Sequence, residues 1–73
     1  MKLTVITPRG ISYEGEVTRV QLRSTGGLLE ILENHAPMIA EVKSGNIVTD
    51  KEEIECGEGA VRVLNNNVEV VCE

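Results

Sequence analysis

Turn-forming residues recur about every eight to twelve positions along this chain, and that spacing constrains its fold more than any other feature. The turn signals are Pro8-Arg9-Gly10, Gly15, Gly26-Gly27, Asn34 to Pro37, Gly45-Asn46, Asp50-Lys51, Gly57-Glu58-Gly59 and Asn65-Asn66-Asn67. Between them lie short runs rich in Val, Ile, Leu and Thr, and no segment keeps a helical period over about eleven residues. The spacing therefore predicts an all-β fold with no helix beyond a single turn.

The runs between these turns predict nine short strands, at residues 2–7, 11–14, 16–23, 28–32, 38–42, 46–50, 52–56, 59–64 and 68–72. Several of these runs alternate apolar and polar residues, as the strands of an antiparallel sheet do when one face is buried and the other faces solvent. So much aliphatic surface cannot stay on one flat sheet. We expect residues 1–73 to form a single domain, a two-sheet antiparallel β-sandwich or flattened barrel.

Two local features refine this prediction. Val17 and Val20 cannot share a face at strict alternation, which predicts a β-bulge near residues 17–19. Asparagine tolerates positive φ, so the three asparagines at 65–67 predict a tight hairpin.

The charge of the chain disfavours nucleic acid as a partner. The formal net charge is −5, the seven basic residues are scattered, and Tyr13 is the only aromatic residue, whereas phosphate binding and base stacking need clustered cations and aromatics.

No apolar run approaches the roughly 20 residues of a membrane span, and the apolar stretch at the N-terminus is too short for a signal peptide. We expect a cytosolic protein with no direct lipid insertion that is a monomer in isolation.

The sequence offers little for catalysis. His35 is the only histidine, and no nucleophile motif or phosphate-binding loop is present. Cys56 and Cys72 are isolated, which together with a cytosolic location predicts two free thiols. A disulfide between them, or a metal site with His35, is the alternative. We predict no catalytic, cofactor-binding or metal site.

Lys51 allows a second interpretation. Thr49-Asp50-Lys51 resembles the Asp-Lys hairpin of lipoyl carrier domains, although Glu52-Glu53 follows where that family has a small residue. The chain could accordingly be a free-standing β-module that carries lipoate on Lys51. The simpler interpretation is an exposed hairpin tip, since Asp and Lys are common there.

The stretch from Ile31 to Ala40 predicts two strands joined by a compact corner. Ala36 precedes a proline and is pushed toward extended conformations, and Asn34 can adopt positive φ. On these residues alone, His35 only makes a hydrogen bond within the corner.

This stretch and its flanks resemble the N-terminal β-sandwich domain of the epsilon subunit of F-type ATP synthases, over essentially the whole chain. Gly27-Leu28-Leu29-Glu30-Ile31-Leu32-Glu33-Asn34-His35-Ala36-Pro37 aligns without a gap with that family's Gly-Glu-Phe-Gly-Ile-Leu-Pro-Gly-His-Ala-Pro signature. Lys43-Ser44-Gly45 follows where the family has Lys-Pro-Gly, and Tyr13-Glu14-Gly15-Glu16-Val17 resembles its aromatic-x-Gly-x-Val step. The family's nucleotide-binding helical hairpin would follow Glu73, so no nucleotide site is carried over.

The resemblance implies a non-catalytic rotor subunit at the cytoplasmic face of an energy-transducing membrane. Such a subunit docks on the gamma subunit and on the membrane ion-translocating ring, and helps couple ion flow, as in proton transport, to ATP synthesis. By position, the resemblance places Ser12, Tyr13, Ile39 and Ala40 in a gamma-facing patch. It places Leu28, Glu30 and His35 on a ring-facing edge.

Leu28 departs from the family, which has a glutamate there facing a basic residue of the ring loops. Residues 28 and 30 share one face of a strand, about 7 Å apart. Glu30 therefore either takes over the role of that glutamate or is an ordinary solvated acid.

Overall fold

The computed structural model describes residues 1–73 as nine β-strands without a helix. The strands are β1 Lys2–Thr7, β2 Gly10–Glu16, β3 Arg19–Ser24, β4 Gly27–Leu32, β5 Met38–Val42, β6 Gly45–Thr49, β7 Glu53–Cys56, β8 Gly59–Leu64 and β9 Asn67–Cys72. The prediction of nine strands is confirmed, with most boundaries within one residue.

The strands form two sheets that pack face to face, which confirms the predicted sandwich. One sheet has five strands in the order β2-β1-β9-β8-β5, and the other has four in the order β4-β3-β6-β7. Every pairing is antiparallel except that of β1 with β9, which is parallel. The chain therefore passes from one sheet to the other four times, after β2, β4, β5 and β7.

An aliphatic core fills the space between the sheets. Alternate residues of each strand point inward, as Val61 and Val63 of β8 and Val68 and Val70 of β9 do. Sixteen buried residues form one cluster, and Tyr13, Leu29, Met38 and Ala40 pack against it from the side. The predicted alternation of β8 and β9 is confirmed, and both sheets share this one core.

The predicted bulge near residues 17–19 is wrong. Residues 16–23 are not one strand, because β2 ends at Glu16 and β3 begins at Arg19 in the other sheet. Val17 and Val20 are both buried since the chain changes sheet between them. The register shift lies instead between β1 and β2, where Ser12 is the extra residue opposite Val5 and Ile6.

The prediction of two free thiols is also wrong, because Cys56 and Cys72 form a disulfide. They stand at the ends of β7 and β9, in different sheets, with their Cα atoms 5.5 Å apart. That separation suits a disulfide. The two cysteines are 16 positions apart in the sequence, and only the packing of one sheet on the other brings their strand ends together, so the sequence alone did not predict the pairing.

Asp50 stabilises the crossing between β2 and β3, and this predicts a sensitivity to acid. Its Oδ1 accepts a hydrogen bond from the backbone N–H of Thr18 at 2.8 Å, and this bond is the main reason that the pKa of Asp50 is lowered. A carboxyl whose pKa is lowered by folding stabilises the native state above its ordinary pKa, and that contribution disappears as the pH falls through the lowered value.

We therefore expect Asp50→Asn to be less stable than the wild type at neutral pH, with a difference that shrinks as the pH falls below the ordinary pKa of an aspartate. Urea unfolding at neutral pH and at a series of acidic pH values measures this. Glu58→Gln, a change at an exposed acid at the other end of the sandwich, is the control. A gap between wild type and Asp50→Asn that is independent of pH would contradict the prediction.

Candidate functional site

The turn that joins β4 to β5, residues 33–37, is here called the 33–37 corner. Asn34 has φ of 61°, as its sequence position predicts, and the N–H of His35 donates to the Leu32 carbonyl at 3.2 Å. His35 is half-buried, with Nδ1 2.7 Å from the Ala36 carbonyl oxygen. The histidine thus makes the hydrogen bond within the corner that the residues alone predicted.

The outer face of β4 carries Leu28, Glu30 and Leu32. Leu28 is 73% exposed, and Glu30 accepts a hydrogen bond from the Gln21 side chain of neighbouring β3 at 2.7 Å. The prediction that residues 28 and 30 share a face is confirmed, because Leu29 and Ile31 point toward the core. β4 is an edge strand, so one backbone edge beside this face is also unpaired.

The three residues assigned to the ring-facing edge are spread along β4. Leu28 is near its start, beside the β3–β4 turn, and His35 lies beyond its end. The four steps from Leu28 to Leu32 alone span about 13 Å. Glu30 is between them, so Leu28, Glu30 and His35 mark a line rather than a pocket.

The structure does not bring the four gamma-facing residues together. Ser12 and Tyr13 lie on β2, and Ile39 and Ala40 lie on β5, which are the two opposite edges of the five-stranded sheet. Four strand spacings, or about 19 Å, separate these edges. Ile39 is 78% exposed and Ser12 is exposed, whereas Tyr13 and Ala40 pack partly against the core.

Between these edges lies an apolar surface that sequence reasoning missed. The strand register places Ile11, Ile6, Val71 and Ala60 side by side across β2, β1, β9 and β8. Ile11 and Val71 are more than half exposed. We call these four residues the apolar row. The run Val70-Val71-Cys72, which places an exposed valine between two buried residues, was the only sequence signal for it.

Ile39 lies on β5 diagonally across from Ala60, whose direct partner on that strand is the exposed Glu41. Ile39 lines two adjoining shallow grooves, one of about 500 Å³ with Pro37, Met38 and Leu64, and one of about 190 Å³ with Ala60 and Val71. Arg62 borders both grooves and forms an ion pair with Glu69 across the strand, at 2.6 Å. The outer face of the five-stranded sheet is therefore largely apolar at one end, with a neutralised pair of charges beside it.

Lys51, the residue of the alternative carrier interpretation, is exposed in the turn between β6 and β7. Thr49 organises this turn by accepting hydrogen bonds at its Oγ1 from the N–H groups of Lys51 and Glu52, at 3.0 and 2.9 Å. Such exposure is what any hairpin tip provides, so the geometry does not favour a carrier. None of the secondary structure is a helix that could cross a lipid bilayer.

Comparison with known proteins identifies the family. A family model described as the β-sandwich domain of the ATP synthase delta/epsilon chain matches residues 1–73. The ATP synthase epsilon chain of Clostridium novyi (strain NT) is 35% identical, over 99% of this chain and 59% of that protein. The epsilon chain of Chlorobium limicola is 40% identical, over 71% of this chain and 62% of that protein.

A solved structure shares the fold. It is a chain in the central stalk and c-ring of the mitochondrial ATP synthase of Tetrahymena thermophila, which matches 99% of this chain and 62% of its own length, with a TM-score of 0.84 and 16% identity. The present chain thus spans about three fifths of the length of these relatives. With its whole length matched by the family model, the chain belongs to the delta/epsilon-chain β-sandwich family of ATP synthases.

Proposed function

We propose that this chain is a non-catalytic rotor subunit of an F-type ATP synthase, built on one domain of residues 1–73. It docks on the gamma subunit and on the membrane ion-translocating ring at the cytoplasmic face, and it helps couple ion flow to ATP synthesis. Its family membership supports this proposal, because the relatives are named ATP synthase epsilon chains. The Tetrahymena chain that shares the fold belongs to a structure of a central stalk and c-ring.

The observation that carries the proposal is the apolar outer face of the five-stranded sheet. Ile11, Val71 and Ile39 are between 51% and 78% exposed there, although each could have been polar without disturbing the core. Contiguous exposed apolar surface marks interaction sites in proteins. The gamma subunit covers this face, with Ile39 and Ser12 at its two edges and the apolar row between them.

The ring contacts a different surface, the outer face of β4. Glu30 provides a carboxylate for a basic ring loop, and Leu28 and Leu32 flank it on the same face. The hydrogen bond from Gln21 orients the Glu30 carboxylate across the strand. Because β4 belongs to the four-stranded sheet, the gamma and ring contacts lie on different sheets and can be removed separately.

Two variants, each of which places a lysine on one of the two proposed surfaces, test the assignment of these surfaces. Ile39→Lys should weaken binding to gamma by about 2 kcal/mol, or roughly 30-fold, because it puts an ammonium group into an apolar contact. Glu30→Lys should weaken binding to the ring through like-charge repulsion, by about 1 kcal/mol, and less at high salt. Both side chains are exposed, so both variants should fold.

Each variant is the control for the other. Titration of each against isolated gamma, and against ring-containing membranes at low and high salt, should show that Ile39→Lys leaves ring binding intact and Glu30→Lys leaves gamma binding intact. Tyr13 is the poorer target because its ring packs on the core. Equal weakening of both contacts by both variants, or of neither, would refute the assignment of the two surfaces.

A further inference from the structure

The Met1 residue belongs to the core, and its α-ammonium group lies beside two solvent-accessible carboxylates. Met1 is only 5% exposed, and its ammonium donates to the Val17 carbonyl at 3.0 Å and to a carboxylate oxygen of Glu33. The carboxylate of Glu16 is 3.6 Å away. Two hydrogen bonds and one further carboxylate thus surround the ammonium group. A buried charge is tolerated in a protein only when it is paired in this way.

Glu33 connects this ammonium group to the 33–37 corner. Its second oxygen accepts a hydrogen bond from the Asn66 side-chain amide at 3.0 Å. The carbonyl oxygen of the same amide accepts from the backbone N–H of Asn34 at 2.9 Å. Because Glu33 and Asn34 are neighbours in the chain and both contact the Asn66 side chain, these three residues form a closed loop of contacts, to which Met1 is joined through Glu33. The loop connects the start of the chain, the corner and the β8–β9 turn.

The segments that this loop joins are conformationally costly. Asn34, Asn65 and Asn66 have φ of 61°, 50° and 61°, in the left-handed region. Non-glycine residues persist there only when surrounding contacts hold them. The N–H of Lys2 also donates to the Asn66 carbonyl at 3.2 Å, which ties the first strand to the same turn.

Both members of the ion pair are stabilised in their charged forms. The hydrogen bond to Glu33 raises the pKa of the Met1 amine, and that same contact, aided by Asn66, lowers the pKa of Glu33. The other acids that face the pair are Glu16, which favours the ammonium, and Asp50, which opposes ionisation of Glu33. The Lys2 ammonium pairs with Glu14 instead, so the α-amine is the cation that Glu33 uses.

We propose that the α-ammonium group of Met1 is a positioning group for the 33–37 corner, and that capping this amine releases the corner. A formyl or acetyl cap converts the ammonium into a neutral amide with one N–H, which leaves one of the two hydrogen-bond acceptors unpaired and Glu33 without its cation. His35, which lies in the corner, is one of the residues assigned to the ring-facing edge. Only an effect of capping on ring docking would therefore rest on the proposed function.

The test compares the 73-residue chain with a free and with an acetylated α-amine, both prepared by chemical synthesis so that the lysines stay unmodified. Amide hydrogen exchange at Asn34 reports on the corner, because this N–H donates to Asn66. We expect acetylation to speed exchange at Asn34 by about tenfold or more. Exchange in the β3–β4 turn, at the other end of the sandwich, should be unchanged.

Two matched variants separate positioning from a general loss of stability. Glu33→Gln removes the charge that links Met1 to the corner, and it should speed exchange at Asn34 as acetylation does. Glu16→Gln removes a carboxylate that also faces the ammonium but makes no bond to the corner, and it should leave exchange at Asn34 unchanged. Acetylation of the Glu33→Gln chain should then add little.

Unchanged exchange at Asn34 after acetylation overturns the proposal. So does an effect of acetylation that is equally large in the Glu33→Gln chain, since the ammonium would then act on the corner by another route. If the acetylated chain unfolds, the Glu33→Gln and Glu16→Gln chains decide the matter by the same exchange measurement. No partner is needed, so a failed ring-docking assay refutes the proposed function and leaves this result intact.

Discussion

Reduction of the Cys56–Cys72 disulfide should lower the free energy of unfolding by about 3 kcal/mol, the value for a closed loop of about this length. The bridge closes a segment with a sequence separation of 16 and ties β7 to β9 in the opposite sheet. β7 is a four-residue edge strand whose only neighbour in its sheet is β6. For a domain of this size, the loss should lower the melting temperature by more than about 10 °C.

Urea unfolding with and without a dithiol reductant measures the effect, and thiol titration of the unfolded chain should find none before reduction and two after. The control is the double variant Cys56→Ser/Cys72→Ser. It should be as unstable as the reduced wild type, and reductant should not change it. Two titratable thiols in the untreated wild type would contradict the bridge, and an equal effect of reductant on the double variant would show that the bridge is not the cause.

The parts of the fold that depend on neighbouring residues were predictable from the sequence. Alternation along Val61 to Val63 gave the inward face of β8, and the preference of asparagine for positive φ gave the turn at Asn34. In both cases the decisive interactions are within a few residues. The family signature through His35-Ala36-Pro37 is also continuous in sequence, which is why it was recognisable.

The features that escaped prediction depend on contacts between distant segments. The disulfide and the apolar row both require knowledge of which strands are neighbours, and the parallel pairing of β1 with β9 brings together the two ends of the chain. The split of residues 16–23 has the same origin. The backbone N–H of Val17 donates to the Met1 carbonyl at 2.9 Å, and nothing near Val17 in the sequence indicates that partner.

Glu33 shows how such a contact changes the meaning of a residue. In sequence it is a departure from the proline of the family signature, at an exposed position in a turn. In the structure it is the acceptor for the buried α-ammonium group and for Asn66. The candidate site was thus located by its local motif, but the contacts that hold it in place were not.

Gly59→Ala should be among the most destabilising single substitutions in this chain, at about 3 kcal/mol or more. Gly59 begins β8 opposite Cys72 of β9. A Cβ atom at this position would lie 1.7 Å from the carbonyl oxygen of Val71 and 2.8 Å from its carbonyl carbon. These are backbone atoms of β9, a strand with a neighbour on each side, at the end where it pairs with the start of β8. No side-chain rotation can relieve the overlap, and β8 must separate from β9 where the disulfide also ties β9 to β7.

Two other glycines provide a graded control. A Cβ at Gly57 would lie 2.6 Å from the carbonyl oxygen of Glu73, which lies outside β9 and can move at less cost than a residue within a paired strand. A Cβ at Gly26 would meet nothing within 4 Å, in the turn between β3 and β4. Urea unfolding should therefore rank the losses as Gly59→Ala, then Gly57→Ala, with Gly26→Ala close to the wild type. A Gly59→Ala chain as stable as Gly26→Ala would mean that β8 and β9 do not approach as closely as described, and the register that aligns the apolar row would be wrong with it.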